Sequence, residues 1–344
     1  MGRDVKILVC SVYYYYGTPH VDPMFHHLTR VPEMMGHEVD HFDYLTAAQV
    51  GVEQMRRVFL NLVTGGCYDA VFIGTHADEF DAETLEQARK HAVVFGWNTD
   101  DEWRWEDYSS HRVDDYSFMV TNSEQVYEEN RGRHANLLHF QWACSGIWNG
   151  EGVSKDIDFS FVGQVYGRRR QQVAALRRVG LQAFGRGSGN PAALLDPEQG
   201  PQSRFKRAIF KRAARYLLPR VDRNSTVLSA DQINDVWNRS RISFTPLEAS
   251  TPDVFQVKGR VFEMGLSGTL MLADRTTLLD SYYEEGAEYV AYDSMEDCAD
   301  KVKFYRRNER ARMRIAAAYR RRTAAEHMWT HRIDDVLRQS GAFA

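Results

Sequence analysis

Ile157-Asp158-Phe159-Ser160-Phe161-Val162-Gly163, followed by Tyr166-Gly167-Arg168-Arg169-Arg170 and a helical pattern to Val179, is the stretch on which the architecture turns. An apolar, aromatic run ending in glycine reads as a buried strand and its turn, and the cationic segment after it as the start of a helix. Gly180-Leu181-Gln182-Ala183-Phe184-Gly185 reads as the next strand. The same alternation has already run once upstream. Val5-Lys6-Ile7-Leu8-Val9-Cys10 is a strand, the polar and aromatic stretch 11–19 a loop, 21–35 a helix closed by Gly36, and 37–42 a second strand. A helix covers the 50s, strands are expected at 69–74, 93–97 and 117–121, and a helix at 82–92. Downstream the pattern resumes with a helix at 230–238, strands at 241–246 and 269–274, and mostly helix from Ser294. Strands that alternate with helices predict parallel sheets. The restart at Ile157 predicts two of them: an α/β chain of two Rossmann-like, doubly wound domains facing a central cleft. The expected domains are 1–150, 151–320 with a basic insert at about 190–225, and a C-terminal helix at 321–344 packing back towards the N-terminal domain. At 344 residues the chain is also longer than one hydrophobic core usually absorbs.

Composition narrows the function classes. The chain is 43% hydrophobic and 26% charged, the balance of a globular protein. A net charge of −4 gives no global bias towards nucleic acid or anionic membrane. The four cysteines are widely spaced, without metal-ligand spacing, which points to a reducing cytoplasm. The N-terminus runs directly into a strand with no signal-peptide core, and no apolar run is long enough to span a bilayer. Gly-x-Gly-x-x-Gly is missing after the first strand of either domain, and Walker, His-Glu-x-x-His and Gly-x-Ser-x-Gly motifs are also missing.

The chemistry concentrates in Val257-Lys258-Gly259-Arg260-Val261-Phe262-Glu263-Met264-Gly265-Leu266-Ser267-Gly268, where a loop should become a short helix before the strand at 269–274. Lys258 and Arg260 suit a phosphate, and helix starts favour anions. Glu263, one turn on, suits hydroxyls, so a nucleotide diphosphate beside a ribose diol satisfies all three. The alternative is a cationic surface coat.

The run Gln256–Glu263 with Gly268, then Tyr282-Tyr283-Glu284-Glu285-Gly286-Ala287-Glu288-Tyr289-Val290 and a closing helix, resembles the donor half of GT-B glycosyltransferases. It is most similar to the CgeB-like, spore-maturation branch of the group 1 enzymes. Phe161-Val162-Gly163 before the arginines, Asn98-Thr99-Asp100-Asp101-Glu102-Trp103-Arg104, and Ala325-Glu326-His327-Met328-Trp329-Thr330-His331-Arg332 support the resemblance. It implies a GT-B fold and transfer of a hexosyl or pentosyl group from a nucleoside-diphosphate sugar to an acceptor hydroxyl, with no cofactor and no metal. In related retaining enzymes a Glu, seven residues, Glu motif touches the donor. Glu263 matches the second Glu, and Phe255 stands in place of the first. The resemblance leans to retention. The leaving diphosphate would be stabilised by Lys258 and Arg260, helped by Arg168 or Arg169 from the loop that starts at Gly163.

Acceptor-side candidates lie in the first domain. Asp100 and Asp101 follow a strand, where a carboxylate can orient or deprotonate the acceptor, or cap the next helix. Tyr14, Tyr16 and Gly17 form a loop that would face the cleft, or a packed loop, and His76 would touch donor sugar or acceptor, or be structural. Trp97, Trp103 and Trp105 read as core or domain-interface residues. The basic insert, Arg204 to Arg223 with Lys206, Arg207, Lys211 and Arg215 on one helical face, suits DNA or anionic lipid, or is a solvated face. Two rival functions stay open: a nucleotide-sugar epimerase or hydrolase, and a non-catalytic nucleic-acid- or membrane-binding protein.

Overall fold

The computed structural model describes residues 4–14, 18, 20–74, 78–150, 152–188, 227–249, 253–341 and 343. The chain divides into two compact units, passing from the first to the second at Gln141–Trp142 and returning at His331–Arg332.

The first unit holds six parallel strands: β1 (Lys6–Cys10), β2 (Glu38–Phe42), β3 (Ala70–Ile73), β4 (Val93–Asn98), β5 (Phe118–Thr121) and β6 (Leu137–His139), in the order β2-β1-β3-β4-β5-β6. The second holds β7 (Ile157–Val162), β8 (Gln182–Phe184), β9 (Ser240–Thr245), β10 (Leu270–Asp274) and β11 (Val290–Tyr292), ordered β11-β10-β9-β7-β8. All pairings are parallel. Counted within each unit, the second sheet repeats the order of the first: the second strand lies outside the first, and the later strands continue on its other side. Each sheet therefore has a switch point, between β1 and β3 and between β7 and β9. The loops leaving such strands diverge there and open a crevice at their carboxyl ends.

Both sheets are covered on both faces. Every residue of β3 is buried, as a strand sandwiched between helices must be. Along β10, Leu270 and Leu272 join a core with Phe159, Phe161 and Val173, while Met271 and Ala273 join another with Trp237, Val261 and Phe262. The alternation places one core on each side of the sheet. The covering helices begin where polar caps allow: Asp81 accepts from the Thr84 amide at 2.9 Å, and Ser229 and Gln232 form a capping box.

The long strands and helices stand within a few residues of their expected places. Three findings differ. β6 and β11 were not anticipated; each is a three-residue edge strand, and unlike the equally short β8, set between Gly180 and Gly185, neither is bracketed by glycines. The helix expected over 21–35 is broken into Pro23–Phe25, a π-helical segment His26–Arg30, and Val31–Met34. Pro32 is the cause: it lacks the amide that would bond back to residue 28, and the Val31 amide reaches five residues back to the His26 carbonyl. Finally, Trp97 and Trp105 are buried core residues, whereas Trp103 is exposed.

Candidate functional site

In the second unit the expected phosphate residues gather at the β7/β9 switch point. Gly163 ends β7 with φ 144°, a backbone that side chains rarely adopt. A Cβ there would stand 3.1 Å from Arg260 Nη1 and 3.3 Å from Phe161 Cζ, so the missing side chain is what lets the guanidinium lie against the turn. Arg260 Nη1 donates to the Val162 carbonyl at 3.4 Å, and its guanidinium carbon lies 5.8 Å from the Phe161 ring centroid. Burial, with the charge of Arg169 second, lowers the Arg260 pKa to about 10, which keeps it cationic at neutral pH.

Gly167 (φ 51°, ψ −135°) occupies the N-cap of the Arg168–Arg177 helix, which has no side-chain cap. Arg169, 3% exposed, packs over the Tyr166 ring at 4.6 Å and donates to the carbonyls of Gln164 and Glu248. Lys258 Nζ donates to the same Glu248 carbonyl. Arg168 points outward, paired with Asp253 at 2.7 Å and 3.6 Å from the buried Glu248 carboxylate.

The short helix is one turn, Arg260–Glu263. Val261 and Phe262 are fully buried and anchor it, which leaves Arg260 and Glu263, three apart, on the opposite face. The Tyr319 hydroxyl donates to the Val261 carbonyl, and Cys144 Sγ lies 3.5 Å from the Glu263 carbonyl, so the turn is pinned from two sides. Glu263 folds back towards Gly259, where a Cβ would come within 3.1 Å of its Oε1. The ensemble is a set of guanidinium and ammonium groups around two loops, with the Glu263 carboxylate beside Arg260 and those of Glu248 and Asp253 on Arg168: a site suited to an anion that also carries hydroxyls.

Three residues of this ensemble were not anticipated: Glu248, Asp253 and Tyr166. Glu248 was within reach of sequence reasoning, because it lies three residues past β9 and carboxyl ends at a switch point carry ligand contacts. The missing information was that β9 lies beside β7.

In the first unit, Tyr14 lies in the loop after β1 and is 50% exposed, bridged to Val21. Asp100 follows β4 in the left-handed conformation (φ 66°) at the start of the Asp101–Arg104 helix, and its side chain makes no capping bond. Asp101 is 1% exposed, and its Oδ1 accepts from the Ser109 hydroxyl at 2.6 Å. Burial raises its pKa. The two carboxylates therefore differ: Asp101 is enclosed and Asp100 half-exposed. Tyr16, Gly17, His76 and the basic insert 204–223 lie outside the described residues.

All four cysteines are free. Among the described residues no group of three or more His, Cys, Asp and Glu side chains is gathered as a metal-ligand set. No described helix is long and apolar enough to cross a membrane.

Comparison with known proteins adds the class of fold. A family model described as "Glycosyl transferase-like" matches residues 191–338. No curated protein sequence matches the chain. A glycosyltransferase from Rickettsia africae ESF-5 superposes with a TM-score of 0.63 at 10% identity, covering 99% of this chain and 98% of that one. Sucrose-phosphate synthase from Thermosynechococcus elongatus gives 0.63 at 11% identity, over 99% and 100%. Anabaena Alr3699/HepE in complex with UDP and glucose gives 0.54 at 13% identity, over 97% and 99%. The fold is GT-B, built from two parallel-sheet, Rossmann-like α/β units.

Proposed function

We propose that the protein is a metal-independent glycosyltransferase of the CgeB-like type that moves a hexosyl or pentosyl group from a nucleoside-diphosphate sugar to an acceptor hydroxyl in the cytoplasm. The observation that carries this reading is the convergence of Arg169, Lys258 and Arg260 on the loops at the β7/β9 switch point, with Glu263 on the same face as Arg260. In this reading the bond from the sugar's anomeric carbon to the diphosphate breaks and the electron pair leaves with the phosphate. Arg169, Lys258 and Arg260 stabilise the charge that develops there, the task a metal performs in other transferases. Glu263 accepts from the ribose hydroxyls. The acceptor oxygen forms the new bond from the face the diphosphate leaves, and its proton passes to the departing phosphate oxygen. Of the two carboxylates we assign Asp100 to orient the acceptor hydroxyl, since Asp101 is enclosed and held by Ser109. Retention is the proposed outcome, resting on the resemblance at Glu263. A UDP-sugar is the first donor to try, because Alr3699/HepE holds UDP and glucose.

The test is a thermal-shift screen of nucleoside diphosphates and their sugars in the presence of a chelator. A stabilising nucleotide followed by sugar transfer supports the reading. Stabilisation only when a divalent cation is added overturns metal independence. Turnover without an acceptor moves the assignment to hydrolysis or epimerisation.

A further inference from the structure

We propose that Asp253 is an internal competitor for the donor's phosphate: it holds Arg168 until an anion takes its place, and so sets donor affinity. The inference rests on the reading of the β7/β9 site as a diphosphate site and adds a residue whose removal strengthens binding.

The cations of the site are held in two ways. Arg169 and Arg260 each donate to a main-chain carbonyl, a contact that fixes the guanidinium in position. Arg168 is met by carboxylates: Asp253 Oδ1 at 2.7 Å from Nη2 and Glu248 Oε1 at 3.6 Å from Nε. Arg168 is the first residue of the helix that leaves the Gly163–Gly167 turn, next to Arg169. Its charge is therefore already met by acids beside the site.

The backbone is shaped to present that acid. Glu248 and Phe255 form an antiparallel bridge, flanked by bonds from the Ala249 amide to the Val254 carbonyl at 2.7 Å and from the Gln256 amide to the Leu247 carbonyl at 3.1 Å. Asp253, just before the bridged segment, has φ 61°. Glycine meets that conformation without cost, and any other residue is strained there, Asn and Asp least. What Asp253 adds over glycine is its carboxylate on Arg168. The pair is weak enough to yield. The two side chains are 58% and 75% exposed, and such surface pairs are screened and easily exchanged. A diphosphate offers more charge and several acceptor oxygens to the same fork.

The experiment is calorimetric titration of inorganic pyrophosphate and a panel of nucleoside diphosphates into the wild type, Asp253→Asn, Arg168→Ala and the double variant. Asparagine tolerates the left-handed backbone and removes only the charge, and Asp253→Gly serves as a second neutral variant. The expected result is a Kd lowered about two- to fivefold in Asp253→Asn and Asp253→Gly, the range open to an exposed ion pair. Arg168→Ala should raise the Kd, and Asp253→Asn should add nothing in that background. Equal or weaker binding by both neutral variants overturns the proposal, as does the same tightening without Arg168. If the wild type binds the nucleotides and only the neutral variants disappoint, the donor-site reading stands and this inference alone falls. If the wild type binds neither probe, both fall together.

Discussion

Arg260 and Glu263 share one face of a single helical turn, and their neighbours explain why the chain invests in them. A guanidinium lowered to a pKa of about 10 by burial and by Arg169 is a cation the fold disfavours until an anion arrives. Arg260→Ala should cut transfer by about 10²–10³ in kcat, the usual loss of one charge-stabilising donor, and Glu263→Ala should raise KM for the donor. Retained full activity in Arg260→Ala would remove it from the mechanism. Lys155 makes a different point. Its ammonium is held by the Ser267 carbonyl at 2.6 Å and Thr269 Oγ1 at 3.2 Å, and burial lowers its pKa from 10.5 to about 7. Between those values the unfolded chain holds a proton that the folded one has released, so stability rises as pH increases from about 7. Below that pH both states are protonated and the contribution is flat. Lys155→Met should remove this rise, measured as the difference in Tm between pH 7 and 9. An unchanged slope in the variant would show that another group titrates.

The turn after β7 positions the cations of the site: Arg260 lies against Gly163, and Gly167 starts the helix that carries Arg168 and Arg169. Gly163→Ala adds a methyl 3.1 Å from Arg260 Nη1 at φ 144°, and is expected to cost about 1–3 kcal/mol in stability. Because the methyl pushes on the guanidinium, kcat should fall more than stability requires, by about tenfold or more at a temperature where the variant is fully folded. A variant that loses stability and keeps its kcat would show that the turn is scaffolding only. These elements were legible to different degrees. Strands such as β3 and β10 announce themselves as apolar runs, and the Arg168–Arg177 helix by its position after a strand and a glycine. β6 and β11 do not: each is three residues long and, unlike the equally short β8 between Gly180 and Gly185, has no glycines to mark both its ends. The π-helical segment was hidden because the apolar spacing of 21–35 is helical throughout; only the lost amide of Pro32 changes the ladder.

Each unit has its own sheet and core, and so can unfold on its own. Calorimetry is expected to show two transitions. A nucleoside diphosphate at a hundred times its Kd should add about 2.7 kcal/mol to the unit that carries β7–β11 and leave the other unmoved. A single transition that shifts as one would show that the units melt together.

Local chemistry made much of this protein readable in one dimension. Periodicity carried the alternation of strand and helix and its restart at Ile157, and the spacing of Lys258, Arg260 and Glu263 is the ground for proposing an anion beside hydroxyls. Those patterns depend on neighbours a few residues apart. The site depends on β7 lying against β9, which brings Arg169 to the Glu248 carbonyl across 79 positions and Arg260 to Val162 across 98. The alternation predicts that the strands run parallel, but nothing in the residues of β7 or β9 names the other as its neighbour. Only the folded sheet shows which loops meet at its switch point, and with them the placement of Glu248 and Asp253 beside Arg168.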